Sequence, residues 1–176
     1  MHEPDPALVR RARDGDVDAF EEIVRSLRPP VVRYVDHLVR DAALAEDVAQ
    51  ETFVRCHANL ARYEFEGRFT TWLVQIARNA GIDAIRARDR RGRLAARAVP
   101  PAAATDPHAR AEVRAALASL PPRLREPLLL IEVVGLSYDE AAAVLGVPAG
   151  TVKSRVFNAR RRVARWFGPE GDDDAL

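Results

Sequence analysis

Apolar residues recur along most of this 176-residue chain at spacings of three and four, and strand-like alternation is almost absent. The pattern predicts an all-α fold. A first helix is expected over Ala7 to Arg13, stopping at Asp14-Gly15. A second opens near Asp18 with Phe20, Ile23, Val24 and Leu27 inward, and Pro29-Pro30 is expected to break it. A third carries Val31, Val32, Val35 and Leu38. A fourth starts near Asp41 and places Ala45, Val48, Ala49, Thr52, Phe53, Cys56 and Leu60 on one face. A fifth runs from about Thr70 to Arg88. It buries Leu73, Ile76, Ala77, Ala80 and Ala84, and sets Gln75, Arg78, Asn79, Ile82 and Arg86 opposite.

From Asp89 to Asp106 the periodicity collapses into Arg, Ala, Pro and Gly, which reads as a flexible linker. Asp106-Pro107 supplies a cap and first position for the next helix. The expected organisation is a helical domain over 1–88, the linker 89–106, a second helical domain over 107–167, and an acidic, disordered tail over 168–176. Each domain is small enough to bury only about 60% of its unfolded surface, so neither has stability to spare.

Within the second domain, Ser137 and Glu140 have capping-box spacing, Ala141, Ala142 and Leu145 form a small apolar face, and Gly146 ends the helix. Pro148 then fixes the start of another helix, where a missing N–H costs nothing. Val152, Val156, Ala159 and Val163 make its buried stripe. Thr151, Lys153, Ser154, Arg155, Asn158, Arg160, Arg161 and Arg162 lie off that stripe, and from Pro148 to Arg165 there are six bases and no acid. Two helices, a tight turn and a cationic second helix describe a helix-turn-helix. Its second helix would put its N-terminal half into a major groove and grip phosphates with the remainder.

Net charge changes the picture once it is divided. The total of +1 conceals −2 over residues 1–88, +2 over 89–106, +5 over 107–167 and −4 in the tail. The positive field thus coincides with the cationic helix. One cysteine, Cys56, permits no internal disulfide and fits a reducing cytoplasm. No apolar run is long enough to span a bilayer, and the N-terminus lacks a signal-peptide pattern, so membrane insertion is not expected.

On the fourth helix, Asp47, Gln50, Glu51 and Val54 line another face. The fragment Ala45-Glu-Asp-Val-Ala-Gln-Glu-Thr-Phe-Val-Arg55 resembles the segment of bacterial sigma factors that docks on the clamp helices of the largest subunit of core RNA polymerase. The run Phe69-Thr-Thr-Trp-Leu-Val-Gln-Ile-Ala-Arg-Asn-Ala-Gly-Ile-Asp-Ala-Ile-Arg86 is similar to the next sigma segment, which opens and reads the upstream promoter element. Gly150-Thr-Val-Lys-Ser-Arg155 resembles the sigma module that reads the element farther upstream. All three stand in family order over roughly residues 6 to 167, with no third domain between them. That is the pattern of extracytoplasmic-function (ECF) sigma factors. His57 departs from it where relatives often carry a large aromatic, and Ile131 where many carry an arginine able to touch DNA.

The resemblance implies three surfaces. Asp47, Gln50, Glu51, Val54 and Arg55 would bind core polymerase. Tyr63, Glu64, Arg68, Trp72, Gln75, Arg78, Asn79 and Arg86 would meet the melted non-template strand. The loop Tyr63–Phe69 would select a flipped base. Within it Tyr63, Glu64 and Arg68 are expected to be exposed, whereas core packing weighs at least as heavily for Phe69 and Trp72. The cationic helix would bind duplex promoter DNA. An anti-sigma protein is an expected partner.

Other classes fit less well. The histidines His2, His37, His57 and His108 are scattered, and no nucleophile–base set, metal-ligand spacing or glycine-rich phosphate loop occurs, so no enzyme, metal or cofactor is expected. Cys56 falls on the apolar face and reads as an inert core thiol. The serious alternative is a helix-turn-helix regulator with an N-terminal sensor or dimerisation domain, which needs no polymerase-docking segment. A helical adaptor that binds only protein would not need six bases on one helix.

Overall fold

A computed structural model describes residues 1–64, 66–94 and 108–168. The Asp106-Pro107 cap, Phe65, most of the expected linker and the tail beyond Gly168 lie outside the described residues. Every regular element among the described residues is helical, and the chain divides into two compact units between Ala103 and Ala104.

In the first unit, α1 (Pro6–Arg13) begins where the Asp5 carboxylate accepts from Ala7 N at 2.7 Å, with Pro6 in the first turn. Asp16 caps α2 (Val17–Val39) by accepting from Ala19 N at 3.0 Å, and Asp41 caps α3 (Ala42–Asn59) by accepting from Leu44 N at 3.1 Å. A single 3₁₀ turn, Leu60–Arg62, follows α3, and α4 spans Phe69–Leu94.

The break expected at Pro29-Pro30 does not occur, and the second and third expected helices are one element. Each proline removes one helical hydrogen bond and crowds the preceding turn, at a cost of about 3 kcal/mol. Beyond them, however, Val31, Tyr34, Val35, Leu38 and Val39 extend the stripe begun by Ile23 and Leu27, and all are buried. Five large side chains contribute about 1.5–3 kcal/mol each, which outweighs two prolines. Phe20 and Val24, expected inside, are only half-buried because they border a surface cleft.

All seven residues expected on the apolar face of α3 are buried. The Thr52 hydroxyl satisfies itself within the helix by donating to Val48 O at 2.7 Å. Helix α4 continues past the end expected at Arg88, into the stretch read as linker, because Arg90, Arg91, Arg93 and Leu94 are good helix formers. It buries Leu73, Val74, Ala77, Ala80 and Gly81, while Ile76 and Ala84 are half-exposed. The band is rotated from the expected one because α4 packs on both α2 and α3. At Gly81 the approach to α2 is close enough that a Cβ would lie 2.8 Å from Leu38 Cδ2. The Arg88 guanidinium, 2.9 Å from Val39 O, closes the end of α2.

The second unit consists of α5 (His108–Ser119), α6 (Pro122–Leu129) with its π-helical continuation Leu130–Val134, α7 (Tyr138–Leu145) and α8 (Ala149–Trp166). Gly135, at φ 82°, ends the π segment, and its N–H and that of Leu136 both reach Leu130 O. The capping box at α7 is complete: Ser137 N donates to Glu140 Oε2 at 2.7 Å, and Glu140 N to Ser137 Oγ at 3.2 Å. Gly146, at φ 65°, is the left-handed residue that turns the chain into α8. Two-turn α7 buries Ala141 and Val144, whereas the expected Ala142 and Leu145 stay half-exposed. On α8 Val152, Val156 and Ala159 are buried against α6 and α7, and Val163 is half-exposed.

Candidate nucleic-acid interface

The expected site residues fall on three surfaces, two on the first unit and one on the second. The outer face of α3 presents Asp47, Gln50, Glu51 and Val54 to solvent, the valine at 57% exposure. Arg55 is half-exposed and bridges two acids, Glu51 at 2.7 Å on its own helix and Asp83 at 3.6 Å on α4. Asp47 has no ion pair among the described residues. Beside this face Phe20, Val24, Arg28, Gln50, Phe53, Val54 and His57 line a cleft of about 420 Å³. His57 supplies the aromatic contact there, edge-on to Phe20 at 4.8 Å. Cys56 behind it is buried, and desolvation pushes its thiol up to about 12.

The loop before α4 corrects one expectation. Tyr63 is not an exposed contact; it is 7% exposed, and its ring packs 5.0 Å from Trp72 and 5.5 Å from Phe69. Its hydroxyl donates to Gly67 O at 3.2 Å, so an apolar ring finds the core while its polar tip pins the loop. Burial, then the nearby charge of Glu3, raises the Tyr63 pKa above its ordinary value. Phe69 is buried and Trp72 half-exposed, while Glu64 is exposed and Arg68 half-exposed. Beyond the loop, Gln75, Asn79 and Arg86 are exposed along α4, and Arg78 is half-exposed beside them. These side chains form one polar strip continuous with the loop.

On α8 the side chains sort into rows by helical spacing. Thr151, Arg155, Asn158 and Arg162 form one flank, the first two half-exposed and the others exposed. Gly150, Ser154, Phe157 and Arg161 form a second row, all exposed. The Ser154 hydroxyl donates back to Thr151 O at 3.0 Å. Lys153 is exposed, its ammonium 5.9 Å from the centre of the Tyr138 ring on α7.

Arg160 departs from the expected pattern, because its guanidinium is engaged by Glu132 on the π segment, at 3.0 and 2.5 Å. The hydrogen bond and charge of Glu132 raise the Arg160 pKa above its ordinary value. Phe157 was missed, although it is 60% exposed with the Arg161 guanidinium 5.7 Å from its ring. Its signal was present: a large apolar side chain standing off the stripe of Val152, Val156 and Ala159. Among the described residues no three His, Cys, Asp or Glu side chains converge as metal ligands.

The family described as Sigma-70 region 2 matches residues 23–91, and Sigma-70, region 4, matches residues 110–163. The ECF RNA polymerase sigma factor SigC of Mycobacterium tuberculosis is 39% identical over 173 residues, covering 95% of this chain and 92% of that protein. This chain belongs to the ECF family of RNA polymerase sigma factors. RNA polymerase sigma-H factor of Pseudomonas aeruginosa is also similar to this sigma factor, 33% identical with 95% of each chain covered. Among solved structures, the sigma factor RpoE in complex with the anti-sigma factor NepR from Bartonella quintana has a TM-score of 0.79 at 28% identity. It covers 88% of this chain and 100% of that one.

The region 2 match decides between the readings that share a helix-turn-helix, since a regulator with a sensor domain has no use for it. The sigma factor binds core RNA polymerase and directs promoter-specific transcription initiation.

Proposed function

We propose that the three surfaces divide that work between them. The outer face of α3, with Asp47, Gln50, Glu51, Val54 and Arg55, docks on the clamp helices of the largest polymerase subunit. The loop and α4, through Glu64, Arg68, Trp72, Gln75, Arg78, Asn79 and Arg86, hold the melted non-template strand; Tyr63 shapes that loop from inside. Helix α8 reads duplex DNA with Thr151, Ser154, Arg155, Asn158 and the exposed Phe157. Lys153, Arg161 and Arg162 grip phosphates, while Arg160 braces the helix against Glu132. The expected second domain over 107–167 and the acidic tail are kept as the working division, while α4 carries the first domain past the expected limit at residue 88 to Leu94. The observation that carries the reading is α8 itself, which sets two solvent-facing rows, polar but for Phe157, beside one buried stripe, after a helix α7 closed by a complete capping box and the left-handed Gly146.

This sigma factor is a non-catalytic initiation factor that acts in the cytoplasm beside polymerase. No helix among the described residues is long and apolar enough to cross a membrane. An anti-sigma protein is its regulator, a proposal supported by the likeness to RpoE in complex with NepR.

Bubble and duplex templates test the α4 assignment. Arg78→Ala and Asn79→Ala are expected to leave polymerase capture intact and to impair transcription from duplex templates. A pre-melted bubble should restore part of the activity because the opening cost is already met. Equal defects on both templates would show that α4 does other work.

The α3 face makes a second expectation. Asp47 carries an uncompensated charge, whereas Glu51 already shares Arg55. Asp47→Ala should therefore weaken capture of core polymerase more than Glu51→Ala, by roughly 0.5–1 kcal/mol, the scale of an exposed charge. A pull-down titration beside a melting curve measures it, and equal capture by wild type and a folded double variant would remove this face from the interface.

A further inference from the structure

Helix α4 begins without a cap of its own. The residue ahead of Phe69 is Arg68, whose side chain has donors only and cannot accept from the first N–H groups of the helix. Those groups are not in water either, since Phe69 is 2% exposed and Thr70 fully buried. Their acceptor comes from the far end of the unit. The Glu3 carboxylate accepts from Phe69 N at 2.5 Å, from Thr70 N at 3.1 Å and from the Thr70 hydroxyl at 2.5 Å. Arg68 pairs with the same carboxylate at 3.4 Å. A negative charge at a helix N-terminus also meets the favourable end of its dipole.

The segment that brings Glu3 there is itself fixed. Pro4 is buried, Asp5 caps α1, and α1 buries Val9 and Ala12 while packing on α2. The carboxylate is therefore a latch held by the body of the unit, and it closes on the point where the loop Glu64–Arg68 becomes α4. We infer that Glu3 is a positioning residue for base selection in the melted strand. It fixes the first turn of α4 and the guanidinium of Arg68, and through them the loop that meets the melted strand. The inference rests on the proposed role of that loop. It assigns Glu3 no contact with DNA; Glu3 acts through Arg68, Phe69 and Thr70.

The test uses the full chain assembled with core polymerase, as wild type, Glu3→Ala and Glu3→Gln. Each transcribes templates pre-melted over the upstream segment, with the non-template bases there randomised, and the transcribed templates are sequenced. Capture of polymerase is measured in parallel. Wild type should prefer particular bases, and Glu3→Ala should flatten that preference by about tenfold with capture unchanged, the consequence of leaving buried donors unsatisfied. Glu3→Gln keeps one acceptor and should fall between, which also covers the case in which the alanine variant does not fold. A purely structural role would lower capture and all templates alike and leave the preference intact, and that result overturns the inference. Wild type without any preference would overturn the loop's role and the inference together. A wild-type preference retained by both variants would overturn the inference alone.

Discussion

Phe69→Ala is expected to destabilise the first unit by about 3–5 kcal/mol, the range for removing a buried aromatic side chain. Phe69 is 2% exposed and packs 5.5 Å from Tyr63 and 5.6 Å from Trp72, so its loss opens a cavity at the centre of a three-ring cluster. Aromatic pairing adds about 0.5–1.5 kcal/mol beyond the area buried. The chain has two tryptophans, Trp72 in this cluster and Trp166 in the second unit. Urea unfolding followed by fluorescence in a Trp166→Phe background therefore reports on the first unit. Phe69→Leu, which keeps most of the volume, should lose far less. A loss below about 1 kcal/mol for Phe69→Ala, the cost of an ordinary substitution, would show that the cluster is not core.

On the second unit, Arg155→Ala should cost about 1–3 kcal/mol on the preferred upstream element and relax preference there, whereas Arg161→Ala should weaken all duplexes alike and lower the salt slope by about one. The first follows from Arg155 lying near the start of α8 beside Thr151, the second from Arg161 lying farther along an exposed row. Phe157, 60% exposed, would add a contact of another kind if α8 enters a major groove, where an apolar side chain can recognise the methyl group of thymine. Replacing thymine by uracil in the bound element should penalise wild type and not Phe157→Ala. Holoenzyme binding to matched and scrambled duplexes over several salt concentrations gives all three quantities. An unchanged matched-to-scrambled ratio for Arg155→Ala would mean that α8 grips without reading there.

The contrast between what the sequence disclosed and what it hid follows the range of the interactions. The turn between α7 and α8 was legible because its determinants are local: Ser137 with Glu140, and Gly146 at a left-handed position. The stripe of α3 was legible because one regular period runs its whole length. Pro29-Pro30 misled because local propensity was read without the partners that cover Val31, Tyr34 and Val35. Tyr63 looked like a loop residue in a polar neighbourhood, yet its burial depends on Phe69 and Trp72 folding over it. Neither the Arg160–Glu132 pair nor the Glu3 latch leaves a periodic trace, since each joins residues far apart in the chain. The placement of the surface residues was thus readable to the extent that a single helix defines it; the roles proposed for them rest on the resemblance to the family.

The state of Cys56 has a practical consequence. With its thiol pushed up to about 12, Cys56 stays protonated at pH 7, and burial denies it to a reagent. The native chain is thus effectively thiol-free toward maleimides, so a single cysteine introduced on either unit can carry a dye without removing the natural one. The same shielding turns Cys56 into a clock. Alkylation at Cys56 requires the first unit to open, and its rate counts those openings under conditions where the folded state predominates.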